Sequence, residues 1–334
     1  MASAKQRVCG TTTPPVPLKP MSRVAVCGGT FGNKMAGVYL AKEWLKDPSE
    51  LRRQTFSATP FLVNPRAAEK LLRYVEKDIG VCFLDSILKS PDTHDTPYEE
   101  KRAKEINRLF GPKGSDEAYD LLLDMHTSPC NMGACIIVDN AQNYFAMHLA
   151  RYVQKHFAVM KAPIYLNMSQ KEKSGRITSI ARCGIGLELG PVSLERLRAE
   201  DYKHMRTLIN CCLDFTDKFN QGGMFPAFEV EAYQFSGLEM FPQGPDGEVS
   251  AMVHPKIQDH DFLPVKPGNP VFQTFQGQDI AYSGDASFCP VFANDGALFR
   301  SKAAFVKTDK LRFSIPAIQA TAKSSELPPE KDST

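Results

Sequence analysis

No apolar run in the chain approaches the roughly 18 residues that a membrane-crossing helix needs. The first 21 residues carry Pro14, Pro15, Pro17 and Pro20 where a secretory signal would need an unbroken apolar core. No sign of charge predominates: 40 Lys and Arg stand against 38 Asp and Glu, a formal net charge of +2. Such a balance supplies no single-signed field to select nucleic acid or an acidic membrane. A small molecule is the expected partner, with no nucleic acid and no transmembrane segment. The nine cysteines are odd in number and include no CxxC pair, which excludes a fully paired disulfide scaffold and fits a reducing compartment. The expected location is the cytoplasm.

What is present is a core. A chain of 334 residues with 43% hydrophobic content can fill one large domain or two ordinary ones. From Arg23 to about Asn220 short apolar runs alternate with amphipathic segments: RVAVC then AGVYLAKEWL, TPFLVN then PRAAEKLLRYVEK, YEEKRAKEINRLFG then YDLLLDMH, CIIVD then NYFAMHLARYVQKHF. The alternation predicts an α/β layer fold with a largely parallel sheet. PIYLNM and CGIGLELG read as further strands. Tyr202, Met205, Leu208, Ile209, Cys212, Phe215 and Phe219 recur at steps of three and four and predict a long packed helix.

After Gly222-Gly223 the texture changes. FEVEAYQF alternates at period two, and proline or glycine recurs in FPQGPDG, LPVKPGNP and QGQ, as in short strands joined by turns. The expected organisation is a mobile tail over 1–21, an α/β domain over 22–222, a smaller β-rich domain over 223–317 and a polar, disordered tail over 318–334.

Ligands in open α/β sheets gather at the carboxyl ends of strands, so three places stand out. VAVCGGTFGNKMAG passes from strand through a glycine turn into a helix, but it has neither the GxGxxG order nor a GK[ST] ending. LLLDMH ends in Asp124 and His126, two apart and so on one face; a histidine there can bind metal or serve the backbone. Glu188 lies among Ile185, Leu187 and Leu189, where an ionised carboxylate is costly without a partner. A buried acid of this kind is an ion-pair member or a catalytic base. The remaining histidines, at 94, 148, 156, 204, 254 and 260, fall in helical segments, turns or tails and read as surface or packing residues.

In order and spacing, GGTFGN, NPRA, RYVEKDI, PYEEKRAKEINRLFGPK, DMHTSPCNMG, GLELGP, VHPKIQDHDF and CPVFAND resemble the aspartoacylase family over residues 22–317. FNQGGMFPAFEVEAY and FSIPA are most similar to its aminoacylase-III branch. The resemblance implies a zinc-carboxypeptidase-like mixed, largely parallel sheet flanked by helices, with a smaller C-terminal β-rich domain. It also implies hydrolysis of N-acyl amino acids by water on one zinc ion per chain, a homo-oligomer, and room for peripheral association with an apical membrane.

In that family a His and a Glu from a GGTHGNE turn and a His closing a DLHNTT strand hold the zinc, and the Glu of GLELGP is the general base. By this resemblance His126 is a metal ligand and Glu188 the catalytic base. The other two ligand positions hold Phe31, which has no lone pair, and Lys34, which brings positive charge to the place of a dication. Arg73 matches the substrate-binding arginine of the RY motif. The DLNR motif appears as Asp78-Ile79-Gly80-Val81, and Thr127, Ser174 and Cys289 stand where the family has Asn, Tyr and Tyr. Cys27, Cys82 and Cys130 lie near these motifs, but no ligand spacing shapes them into a thiolate site.

The reading that follows is an aminoacylase-III-like chain with a degraded metal site and lost or weakened hydrolysis, in which Glu188 pairs with Lys34 in preference to His126. Two alternatives stand beside it: an active amidohydrolase releasing a carboxylate and a free (aromatic) amino acid, and a non-catalytic ligand-binding or oligomer-partner protein.

Overall fold

The structure, a computed structural model, describes residues 14–168 and 173–322. The chain opens with β1 (Val16–Leu18) and β2 (Val24–Gly28), then α1 (Met35–Lys46), β3 (Thr59–Leu62) and the short α2 (Pro65–Glu69). One-turn α3 (Asp85–Leu88) and α4 (Tyr98–Phe110) precede β4 (Leu121–Thr127), β5 (Gly133–Val138), α5 (Tyr144–His156), β6 (Ile164–Leu166) and β7 (Cys183–Gly190). The long α6 (Ala199–Asn220) leads to β8 (Met224–Phe225), β9 (Phe228–Met240), β10 (Ala251–Val253), β11 (Pro270–Thr274), β12 (Asp279–Ala281) and β13 (Cys289–Val291). The chain closes with α7 (Gly296–Phe299), β14 (Ala303–Ile315) and β15 (Ile318–Ala320). Among the described residues no helix is long and apolar enough to cross a membrane.

Nine strands form one mixed sheet in the order β13-β14-β9-β6-β5-β7-β4-β2-β3. From β3 to β9 every pairing is parallel except that of β5 with β7. Burial on both faces explains why the central strands read as continuous apolar runs. Alternate residues go opposite ways: Val24, Val26, Leu121, Leu123 and Met125 join a core with residues of α1, α5 and α6. Ala25, Cys27 and Leu122 join Ala103, Ile106 and Phe110 of α4 on the other face. By the same parity Asp124 and His126 fall on the α4 face.

Two expectations are corrected. The helix expected through PRAAEKLLRYVEK stops at Glu69, and Leu71 has φ of 56°. The chain from 73 to 78 is instead a loop, held because the buried Glu99 carboxylate of α4 accepts the backbone N–H groups of Val75, Glu76 and Lys77 at 2.7, 3.1 and 3.0 Å.

The tails also begin further out than expected. β1 pairs in parallel with β15, and Val16, Leu18 and Ile318 pack on the main core, which is why these short apolar stretches are ordered. The rest of both expected tails, 1–13 and 323–334, lies outside the described residues.

The β-rich segment expected at the C-terminal end is present and is joined to the first sheet. β9 pairs with β6 through Tyr165 with Tyr233 and Leu166 with Gln234, so β9, β14 and β13 extend the first sheet. A three-stranded β10-β11-β12 sheet with its own core of Phe241, Val271, Phe272, Phe288 and Phe305 completes that region.

Candidate active site

The glycine turn after β2 is packed too tightly for side chains. A Cβ on Gly28 would land on the Gly37 carbonyl oxygen of α1, and one on Gly32 on the backbone of Ala67 in α2. The turn therefore fixes where Phe31 and Lys34 point. Lys34 is the N-cap of α1, whose first turn has no acidic residue. A cation there is opposed by the positive end of the helix dipole, so it needs partners from outside the helix. Its ammonium donates to the Thr127 carbonyl oxygen at the end of β4, and its Nζ lies 3.6 Å from Glu188 Oε1 of β7. Lys34 and Glu188 are each only 6% exposed. Glu188 Oε1 accepts no hydrogen bond among the described residues, so the contact is ionic without a hydrogen bond.

β4 and β7 run side by side in a register that sets His126 against Glu188, so the two residues share a face of adjacent strands. His126 Nε2 is 2.6 Å from Asp124 Oδ2, and the Thr30 hydroxyl donates to Asp124 Oδ1 at 2.7 Å. The Phe31 ring fills the space beside them, its centroid 5.4 Å from that of His126. On the other side of Phe31 the Arg73 guanidinium carbon lies 3.5 Å from the ring centroid, and Arg73 Nε donates to Asp78 Oδ2 at 2.8 Å.

These residues line one cavity of about 370 Å³. Its other wall is largely apolar: Ile137, Tyr165, Phe292, Leu298 and Val306. Burial pushes the Tyr165 phenol up to about 12, against the Arg176 charge, so it stays a neutral hydroxyl near neutral pH. Asp261 stitches the 290s loop to the end of β4. Its carboxylate accepts the Asn131 N–H at 2.8 Å and the Ala293 N–H at 3.0 Å, while burial raises its pKa. Ser128 donates to Asp295 at 3.2 Å on the same seam.

Residues 20–216 match the succinylglutamate desuccinylase/aspartoacylase catalytic domain, and residues 228–310 match the AstE/AspA barrel-sandwich hybrid domain. The chain belongs to this family. It is 46% identical over 306 residues to the human N-acyl-aromatic-L-amino acid amidohydrolase (carboxylate-forming), covering 92% of this chain and 96% of that relative. Mouse aspartoacylase is 38% identical over 303 residues, 91% and 97% of the two chains. The crystal structure of murine aminoacylase 3 superposes with a TM-score of 0.86 at 43% identity, covering 90% of this chain and 99% of that one.

All four positions taken from the family pattern, Phe31, Lys34, His126 and Glu188, line the one cavity, and Arg73 borders it. Among the described residues no three His, Cys, Asp or Glu side chains converge as a metal-binding group. Cys27 and Cys82 pack in the α4-side core and Cys130 in a separate cluster, with burial raising the pKa of each. Of the other histidines, buried His148 contacts the Pro316 carbonyl oxygen at 2.8 Å and His156 stacks on Tyr152.

Sequence reasoning passed over Asp139, Tyr165, Arg176, Phe292 and Asp295, all of which line the cavity. Asp139 closes CIIVD and could have been found as a strand-end acid. Arg176 sits in an irregular stretch with no periodic signal.

Proposed function

We propose that this member of the family binds N-acyl amino acids or similar carboxylates in the cavity without zinc, and that amide hydrolysis is lost or severely weakened. The observation carrying this reading is the buried Lys34 ammonium, 3.6 Å from Glu188 and bonded to the Thr127 carbonyl oxygen. It puts a fixed positive charge beside the carboxylate that would otherwise serve a cationic site.

The remaining donors support the same conclusion. Phe31 offers no lone pair, His126 with one nitrogen on Asp124 can supply a single donor through the other, and a dication would face the repulsion of Lys34 at short range. The residues present do not fit zinc of the family type. The ligand class rests on the apolar wall and the Arg73 and Arg176 guanidinium groups of the cavity, whose described lining also carries Asp78, Asp124, Asp139, Glu188 and Asp295, and on the N-acyl-aromatic amino acids that the human relative's name gives for that protein.

The competing reading is hydrolysis of those amides, favoured by the survival of Glu188 and His126 opposite each other in adjacent strands. Metal analysis of purified protein, paired with an assay of N-acetyl-L-phenylalanine hydrolysis, separates the two. The expected result is far less than one zinc ion per chain and no turnover beyond that of Glu188→Ala. Near-stoichiometric zinc with turnover abolished by Glu188→Ala would overturn the proposal.

A further inference from the structure

Among the described residues three Lys or Arg side chains border the cavity: Lys34, Arg73 and Arg176. The first two are already committed. Lys34 faces Glu188 and the Thr127 carbonyl oxygen. Arg73 is neutralised by Asp78 and has one face of its guanidinium laid on Phe31. A ligand carboxylate approaching either must displace an anion built into the site, and for Lys34 that anion is buried.

Arg176 differs in both respects. Its backbone is held: its N–H donates to Ser174 Oγ at 3.3 Å, and its carbonyl oxygen accepts from the Ser179 N–H at 3.1 Å and hydroxyl at 2.7 Å. Among the described residues its guanidinium has neither an ion pair nor a hydrogen bond. Arg176 is an exposed residue that lines the cavity together with Val81, Ile177, Thr178 and the apolar wall, near enough to Tyr165 of that wall for its charge to act on the phenol. A fixed stem with an uncommitted planar head is a receptor for a carboxylate, which a guanidinium can take with two parallel hydrogen bonds. Because the residue is exposed, its head loses little solvation when it pairs.

We propose that Arg176, rather than Arg73, holds the carboxylate of the bound ligand and so makes the cavity select acids over their neutral analogues. The inference rests on the reading that N-acyl amino acids occupy this cavity. Carboxylate at Arg176 leaves the ligand's side chain against Tyr165, Phe292 and Leu298, and Arg73 keeps a structural duty as the partner of Asp78 and Phe31.

Ligand-observed NMR on the full chain, with N-acetyl-L-phenylalanine and N-acetyl-L-phenylalaninamide as probes, tests this and also reveals any acetate released. Wild type should bind the acid about two- to fivefold more tightly than the amide, the scale of a solvent-exposed ion pair. Arg176→Ala should abolish that preference while leaving amide affinity unchanged, and Arg176→Lys should keep part of it. An acid preference that survives Arg176→Ala, or a wild type that binds both probes equally, overturns the assignment to Arg176 but leaves the ligand class standing. A wild type that binds neither probe overturns the ligand reading and this inference with it.

Discussion

Lys34 Nζ lies 3.6 Å from Glu188 Oε1, with both side chains buried. The pair joins the amino end of α1 to the middle of the sheet. Each member answers for the other, since a lysine at a helix start and a carboxylate inside an apolar strand are both unfavourable alone. The contact is thus a condition of the fold as well as a feature of the cavity.

Removing one member should therefore cost more than removing both. Lys34→Met leaves Glu188 buried without a counter-charge and should lower stability by about 3 kcal/mol, whereas Lys34→Met combined with Glu188→Leu should lose about 1 kcal/mol or less. Urea denaturation at pH 7 of wild type, both single variants and the double variant gives the full cycle. Equal losses in Lys34→Met and the double variant would assign the effect to packing instead of charge.

Restoring the ligand types of the family pattern should restore the metal. Phe31 stands 5.4 Å, ring to ring, from His126, and Lys34 faces the same cavity. Phe31→His together with Lys34→Glu should bind about one zinc ion per chain and gain thermal stability with added zinc, by about 2.7 kcal/mol at a hundredfold excess over the dissociation constant. Each single change should bind far less. A zinc-free double variant would place the obstacle in the backbone of the turn or in the other altered pocket positions.

A pH-dependent element sits away from the cavity. Burial alone would raise the Glu50 carboxyl, but hydrogen bonds from Arg206, Trp44 and Asn210 outweigh it and hold it at about 2. A carboxylate depressed in the folded state contributes stability that is complete above its unfolded value of about 4.5 and is lost as pH falls from there toward 2. With Glu50 partly open to solvent, the contribution at pH 6 is on the order of 1 kcal/mol after screening. Glu50→Gln should be less stable than wild type by that amount at pH 6, and the two should converge by about pH 2. Trp44, the single tryptophan, donates to Glu50 Oε2 at 2.8 Å, so its fluorescence reports the same titration. A gap that stays constant over this range would remove Glu50 as its source.

Much of this arrangement was legible in the sequence, and the exceptions have physical causes. Strands β2, β4 and β7 announced themselves because burial on both faces leaves unbroken apolar runs, and the carboxyl ends of those strands marked Asp124, His126 and Glu188. The pairing of Lys34 with Glu188 was expected once the family resemblance placed both in one pocket, because a buried carboxylate without its metal needs another cation. The Arg73 loop was hidden because PRAAEKLLRYVEK has helical composition, and only the distant Glu99, by capturing three backbone N–H groups, shows why the helix ends at Glu69. The commitment of Arg73 to Asp78, and the absence of such a partner for Arg176 among the described residues, depend on side-chain geometry that no periodicity encodes. The merging of β9, β13 and β14 into the first sheet was hidden likewise, because strand alternation says which face a residue takes but not which neighbour it pairs with.

The glycine turn offers the sharpest test of the framework that carries Phe31 and Lys34. A Cβ at Gly32 would meet the carbonyl carbon and oxygen of Ala67 and the nitrogen of Ala68, backbone atoms with no rotamer to yield. The Gly32 N–H also donates to the Arg73 carbonyl oxygen at 3.4 Å, so displacing the turn disturbs the Arg73 loop as well. Gly32→Ala should destabilise by about 2 kcal/mol or more and loosen the contact of Arg73 with Phe31. Gly296→Ala is the matched control: nothing lies within 4 Å of its Cβ position, and alanine there should be neutral or stabilise by up to about 1 kcal/mol by restricting the unfolded chain. Urea midpoints of the two variants give the comparison. If Gly32→Ala were as stable as Gly296→Ala, the turn would have room to move, and the positions of Phe31 and Lys34 would not be fixed by its close packing on α2.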